Sequence, residues 1–582
     1  MNNISKKLFS VLMAVVMLAT LALMPVAASE PCGCGEAPLV CVTGFSAATL
    51  YQNYGTDQEQ AIFPPSQESI EGLASDIGVS LIQGFINYGI NNKDSSILAA
   101  AILKPVAERF EPIAYNADGT PKYDDLSYTC FSESLDSYER EVREAYASAY
   151  ALKTGKQIGW DHVYIFMYDW RESPVDIAAD LDAFIENVKD ETGHDKVNLA
   201  AESMGAAVTA AYLSIYENYD SIKNIVFISP AFQGTSIAGD VFTGKINIDV
   251  YGVYEYLQEL SNDSEQVGWM TALLLAFLRY QGLLEEFVPD INRFVNDNKE
   301  TIRTELTLPI FAGMPGLWSM IPASQYEAAK SYLYPEGVDP ELEAKIDEYY
   351  NIQINLETVL NDAMDAGVNV AIISNYHTHF IPVIESDFTM SDGVIDTVYS
   401  SAGATCARHG HVLREHYQQA NTDCGHYHLS TDGIVDASTC LFPEQTWLIK
   451  NLGHVEYAED EDPVKLVMWL LGMDEQYTVW TDTQNFPQFL YYVTWSGEMV
   501  PLALTEAALG DIDNDGVASS TDARLALRIA TGLETTDARG NFLGDVDFDG
   551  NITAADARRI LRVATKLESF EEIPGESETP EA

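Results

Sequence analysis

Ser203 lies in KVNLAAESMGAA (196–207), an apolar run that stops at Glu202-Ser203-Met204-Gly205 and passes into a helical pattern of small residues. A buried strand, a one-residue corner and a helix would lift the Ser203 hydroxyl above the strand ends and turn the Met204 backbone N–H toward the same space. That is the geometry of a nucleophile elbow. Ala201 and Gly205 hold the two positions where strand and helix must pass closely, so the match is AxSxG. So short a match also fits an ordinary helix N-cap serine. An acyl-transfer site further needs donors for an oxyanion, and PLVCVTG (38–44) reads as an inner strand running into the turn Phe45-Ser46-Ala47-Ala48. The Phe45 backbone N–H, with Ser46 as the neighbouring option, is the expected second donor beside Met204.

A different chemistry stands near the C-terminus. DIDNDGVASSTD (511–522) and DVDFDGNITAAD (545–556) place oxygen donors at the spacing that wraps one hard cation. In the first loop these are Asp511, Asp513, Asp515, the Val517 carbonyl, Ser519 and Asp522. In the second they are Asp545, Asp547, Asp549, the Asn551 carbonyl, Thr553 and Asp556. Glycine at position six allows the sharp turn, and two calcium ions are expected. Each loop leads into a helical pattern, DARLALRIATGLE or DARRILRVATKLE. The duplicated unit resembles a type I dockerin, which implies a cohesin domain of an extracellular scaffold as partner. The resemblance puts recognition at Ser520 and Thr521 in one half and at Ala554 and Ala555 in the other.

The elements that must position Ser203 follow in order. VYIFM (163–167) is a second inner strand; Ile177, Leu181, Phe184, Ile185 and Val188 share one helix face closed by Gly193; the Ser203 strand and helix come next, then a strand at 225–229. Alternation of this kind requires a parallel α/β sheet. Residues 237–368 lack strand patterns, contain the apolar stretch Trp269–Leu284, and read as a cap inserted between core strands. Val368–Ser374 and QTWLIK (445–450) read as further strands, the second as the last of the sheet.

PLVCVTGFSAATL, YDWRESP, KVNLAAESMGAAV and IVFISPAFQGTS, in that order and spacing over about residues 38–236, resemble the lecithin:cholesterol acyltransferase-like lipases of the α/β-hydrolase fold. GMPGLWSMIPAS (313–324) resembles that family's cap segment. Glu202 stands where the family has histidine, Ala201 and Ala206 where it has glycine, and Thr43 where it has proline. The resemblance implies a serine esterase or lipase whose acid lies in a DGxV turn and whose histidine follows the last strand. His454, in Leu452-Gly453-His454, takes the histidine's place. Two turns compete for the acid, SDGVID (391–396) and TDGIVD (431–436); Asp432 is nearer the last strand and is preferred to Asp392. The expected triad is thus Ser203, Asp432 and His454, with no cofactor for catalysis. A lipid ester follows from the lipase resemblance, a plant-wall ester from the dockerin's usual company. The competing reading is a hydrolase-like binding or structural subunit that no longer turns over.

Residues 376–440 carry seven of the ten histidines together with Cys406, Cys424 and Cys440. Two readings stand side by side: a zinc site, with HxH at His409/His411 and CxHxH at Cys424/His426/His428, or a disulfide-closed loop with exposed histidines. A zinc-based hydrolase is the corresponding third function.

Composition bounds the rest. At 582 residues, two or more domains are expected. The net charge of −56 argues against nucleic acid or anionic lipid as partner. Lys6 and Lys7, the apolar run Leu8–Met24 and Val26-Ala27-Ala28 form a secretory signal over 1–28, and no other stretch is long enough to span a bilayer. Seven cysteines leave at least one thiol unpaired, with Cys41 the expected one. The expected organisation is signal 1–28, α/β-hydrolase domain 36–472, linker or small strand extension 473–508, dockerin 509–570 and a disordered acidic tail 571–582.

Overall fold

The structure, a computed structural model, describes residues 35–64, 95–247, 283–379, 389–454 and 461–502 apart from 55, 57, 415–416 and 495; toward the C-terminus it describes 510–513, 517–536, 543–544, 546 and 552–567. The expected signal and acidic tail, most of the Trp269–Leu284 stretch, and Asp515, Asp545, Asp547, Asp549 and Asn551 lie outside the described residues.

Eight strands form one sheet: β1 (Leu39–Val42), β2 (Val163–Phe166), β3 (Val197–Glu202), β4 (Ile222–Ile228), β5 (Asn369–Tyr376), β6 (Thr446–Lys450), β7 (Phe489–Val493) and β8 (Glu498–Pro501). Their order is β8-β7-β6-β5-β4-β3-β1-β2. All neighbours are parallel except the edge pair β7/β8. A parallel sheet is covered on both faces, which is why LVCV and VYIF run apolar without alternation.

The two faces have separate cores. Val40 and Val42 pack with Ile177 and Leu181 of α2 (Pro174–Thr192), Val208 of α3 (Gly205–Tyr216) and Leu360 of α5 (Leu356–Asp365). Leu39 and Cys41 pack with Tyr150 and Ala151 of α1 (Ala149–Ile158) and with Val464 and Val467 of α6 (Glu461–Leu471). Helix on sheet on helix is the α/β-hydrolase architecture. QTWLIK, expected to be the last strand, is followed by two more; β7 and β8 carry the sheet past Gly472 to Pro501. β8 (EMVP) is the edge, partly exposed along its length, whereas β7 (FLYYV) is paired on both sides.

Between β4 and β5 the described chain is helical, with a core of its own around Trp318, Tyr326, Leu333 and Leu342, the last on α4 (Pro340–Ile354). The YDWR segment ties it to the sheet. Arg171 grips Asp169 through Nε (2.9 Å) and Nη2 (2.6 Å), reaches the Ile113 carbonyl, and uses its own carbonyl to accept the Gly316 N–H at 2.9 Å. Both side chains are buried, so a forked, fully hydrogen-bonded ion pair is what keeps this arginine tolerable there. A side chain on Gly316 would begin 2.0 Å from the Trp170 carbonyl oxygen, which accounts for the glycine in GMPG.

The C-terminal unit pairs α7 (Ser520–Ala530) with α8 (Ala554–Ala564) over Ile512, Ala523, Ala526, Val546, Ala557 and Ile560. Each helix opens with a reciprocal capping box, Ser519 with Asp522 and Thr553 with Asp556. Cys41, Cys130, Cys406, Cys424 and Cys440 are all free thiols, so the disulfide reading of the 376–440 region does not hold among the described residues. No helix among them is long and apolar enough to cross a membrane.

Candidate active site

β3 ends at Glu202 and α3 begins at Gly205, so Ser203 is forced to turn the chain within one residue. It does so at φ +50°, in the left-handed region. Its N–H donates to the Ile228 carbonyl (3.0 Å), and its own carbonyl accepts from Ala206 (3.1 Å) and Ala231 (2.9 Å). The corner leaves no room for side chains. A Cβ on Gly205 would lie 2.3 Å from the Val42 oxygen, and one on Gly44 would lie 2.9 Å from the Ser203 Cβ. Ala201, by contrast, fits within the strand and is fully buried, so the first small position of the elbow tolerates a methyl group.

Three side chains converge there. Ser203 Oγ is 3.0 Å from His454 Nε2, and His454 Nδ1 is 2.8 Å from Asp392 Oδ2. The His454 backbone N–H also donates to the Asp392 carbonyl at 3.0 Å, so ring and backbone are held by the same residue. The other Asp392 oxygen accepts the N–H groups of Val394 (2.9 Å) and Ile395 (2.7 Å), fixing the carboxylate in its turn. That turn is clamped from the end of β4: Thr235 Oγ1 donates to the Val394 carbonyl (2.6 Å), and Ser236 donates through N (2.7 Å) and Oγ (2.6 Å) to the Asp396 carboxylate. Burial pushes Asp396 up to about 6, against the Ser236 hydrogen bonds that favour its charge.

The preference for Asp432 is therefore corrected to Asp392. The two turns are built alike, since Asp432 Oδ1 accepts the Ile434 N–H (3.0 Å) just as Asp392 Oδ1 accepts that of Val394. They differ in where the second oxygen points. Asp432 Oδ2 meets Lys450 Nζ at 3.2 Å and the Tyr376 hydroxyl at 3.1 Å, at the ends of β6 and β5. Nearness in sequence to the last strand misled; Lys450, inside QTWLIK itself, was the available signal that Asp432 is already engaged.

Phe45 follows Gly44, which packs against Ser203, and Met204 follows Ser203 in the chain. Neither backbone N–H is used by a backbone carbonyl among the described residues. The Thr43 carbonyl is held by the Tyr168 hydroxyl (2.7 Å), and Ser46 takes φ +65°, which together shape the Phe45 turn. The Phe45 ring lies 4.5 Å from that of Trp170 and continues through Phe63, Phe110 and Phe311, giving the site an aromatic wall that runs into the helical segment.

Glu202, which stands where the resembling family has histidine, lies immediately before the serine. Its carboxylate accepts a hydrogen bond from the Tyr150 hydroxyl of α1. Burial raises its pKa above the ordinary carboxylate range, opposed by Tyr150 and by attraction to His454. For His454, burial disfavours the charged ring, but the adjacent Asp392 and then Glu202 outweigh it, and the pKa is raised. Two carboxylates therefore bear on one imidazole.

In the C-terminal unit, ligand oxygens of Asp511, Asp513 and Asp522 lie within 4.8 Å of one another. Asp522 Oδ1 also accepts from the N–H groups of Ile512 (2.8 Å) and Asp513 (3.0 Å), so position twelve both closes the loop and starts the helix. This gathering of hard oxygens fits calcium. In the second loop only Thr553 and Asp556 of the expected ligands are described; Asp556 caps α8 as Asp522 caps α7.

Asp432→Asn should remove the charge that Lys450 meets at 3.2 Å and lower the unfolding free energy by about 3 kcal/mol in denaturant titration. Glu202→Gln should move the His454 titration to lower pH in ring-proton NMR, because the anion that favours the imidazolium is gone while Asp392 stays.

The comparisons agree with this geometry at a coarse level. The family model described as "Serine aminopeptidase, S33" matches residues 170–246, which hold β3, Ser203 and β4. The type I dockerin model matches residues 509–563. No curated protein matches the chain. A solved structure titled "The crystal structure of Tle4-Tli4 complex" aligns at 12% identity over 59% of this chain and 75% of that one, with a TM-score of 0.22, too low to carry any argument. The chain thus carries a serine-hydrolase-like domain of the α/β-hydrolase fold and a C-terminal type I dockerin, the module that binds calcium and attaches to a cohesin partner.

Proposed function

We propose that the protein is a secreted carboxylic ester hydrolase, held on a cohesin-bearing extracellular scaffold by its dockerin. The observation that carries this reading is the contact series Ser203 Oγ–His454 Nε2 (3.0 Å) and His454 Nδ1–Asp392 Oδ2 (2.8 Å). Ser203 attacks the ester carbonyl as His454 takes its proton. Asp392 holds the ring in the tautomer with Nε2 free and stabilises the imidazolium. The Met204 and Phe45 N–H groups receive the oxyanion. His454 returns the proton to the leaving alcohol, and water then releases the acyl group by the same steps in reverse. The aromatic wall from Phe45 to Phe311 supports an apolar or aromatic acyl group, as in a lipid ester or a feruloylated wall sugar. The signal over 1–28 and the dockerin support export, and two calcium ions are proposed, one for each loop.

A fluorophosphonate probe should label the full chain at Ser203, with no labelling of Ser203→Ala, and Asp392→Asn should lower kcat by about 10⁴-fold on the accepted ester. Equal labelling of the serine variant would sink the reading and leave a binding subunit. Profiling across acyl chain lengths, acetylated and feruloylated sugars and aminoacyl arylamides identifies the acyl group, and activity confined to the arylamides would replace esters by amides. Binding to a panel of cohesins should appear with calcium and vanish with chelator; no calcium-dependent binding to any would remove the tether.

A further inference from the structure

The 420–440 loop holds a second convergence of ligand side chains, away from Ser203. A donor atom from each of Cys424, His426 and His428 lies within 4.8 Å of the other two. Donor atoms around a tetrahedral zinc stand about 3.5 Å apart, given zinc–nitrogen and zinc–sulfur lengths of about 2.0 and 2.3 Å, so a small contraction completes the site.

The surroundings favour an ion over a chance cluster. His428 is fully buried, and its Nε2 has no hydrogen-bond partner. An orphaned ring nitrogen in a dry site is costly unless something accepts its lone pair. Its Nδ1 is 2.7 Å from Gln488 Oε1, an acceptor, which places the proton on Nδ1 and leaves Nε2 as a lone pair. His426 repeats the arrangement, with Nδ1 2.7 Å from Glu444 Oε1. Metal-ligating histidines are oriented by such acceptors on their far nitrogen. The Cys424 sulfur receives the His426 backbone N–H at 3.4 Å, which holds it beside that imidazole. Trp480 covers both imidazoles, with ring centroids at 4.9 and 5.6 Å.

We infer that Cys424, His426 and His428 form a zinc site, with solvent completing the coordination on the side where Cys424 and His426 are exposed. Thiolate and imidazole donors select zinc over calcium or magnesium. The site is structural. Glu444 precedes the first residue of β6 and Gln488 the first residue of β7, whereas His454 follows the last residue of β6. The ion therefore sits at the N-terminal ends of strands whose C-terminal ends face Ser203, and it staples the loop to the sheet edge without reaching the reaction.

The test uses the full chain, stripped of metal, resupplied with saturating calcium and titrated with cobalt(II) or zinc. Wild type should bind one cobalt per chain with a thiolate-to-cobalt charge-transfer band, and zinc should displace it and raise the melting temperature. Cys424→Ser, at an exposed position, should fold normally but lose the band and the thermal shift. Glu444→Gln should weaken zinc binding roughly 10–100-fold while the ligands remain. No charge-transfer band in wild type, or the same band in Cys424→Ser, overturns the site. The calcium loops contain no sulfur and cannot produce the band, and the readout does not depend on hydrolysis.

Discussion

The crowding of one corner governs this fold. Gly205 has the Val42 and Thr43 carbonyl oxygens 2.3 and 2.6 Å from where its Cβ would stand, and Gly44 meets Ser203 at 2.9 Å. β1 and β3 can lie side by side, and α3 can leave at once, only because both positions lack side chains. The left-handed Ser203 backbone is the consequence. Such a conformation costs on the order of 1–3 kcal/mol, and bonds to Ile228, Ala206 and Ala231 on three sides hold it. With the corner set, the hydroxyl has no choice but to stand above the strand ends, in reach of whatever the loops after β5 and β6 bring there.

What those loops bring is decided by charge pairing more than by turn type. SDGVID and TDGIVD fold into the same carboxylate-to-backbone turn, and nothing in the local pattern separates them. The separation is made by Lys450, which occupies Asp432, and by Ser236, Thr235 and Asp396, which carry the other turn under His454. Sequence reading paired Ser203 with His454, which do meet, because each sits after a strand whose apolar run is plain. It weighed both aspartates and preferred Asp432, because the choice depends on contacts distant in the chain, 62 residues for Asp392 to His454 and 56 for Asp432 to Tyr376. It took QTWLIK as the last inner strand and left 473–508 open between a linker and a strand addition; β7 and β8 add to the sheet there, with β8 alone at the edge and without a fully buried residue. Asp511, Asp513 and Asp522 gather as their spacing predicts, because ligand spacing is a local property, whereas Ser519 and Thr553, read only as ligand positions, also cap their helices. Ser520, Thr521, Ala554 and Ala555, where the resemblance puts recognition, are all exposed, whereas the adjacent Asp522 and Asp556 are buried.

Glu202 places a second carboxylate at the Ser203 corner. A carboxylate beside the nucleophile could be read as repelling an oxyanion. Its placement argues for a different effect. Tyr150, from the face of the sheet opposite α3, donates to it, and its field acts on His454 together with that of Asp392. Negative charge at that point favours the imidazolium over the neutral ring. Under the proposed reaction the imidazolium exists only once Ser203 has been deprotonated, so the same carboxylate lowers the cost of that step. The accompanying rise in the ground-state pKa of His454 opposes it, because more of the ring is then already protonated at a given pH. Burial limits that opposing effect. It disfavours charge on both groups, keeping Glu202 above the ordinary carboxylate range and working against the imidazolium. The balance is thus set by Tyr150 and by the dryness of α1's packing, which lie on the far side of the sheet from the helix that Ser203 opens.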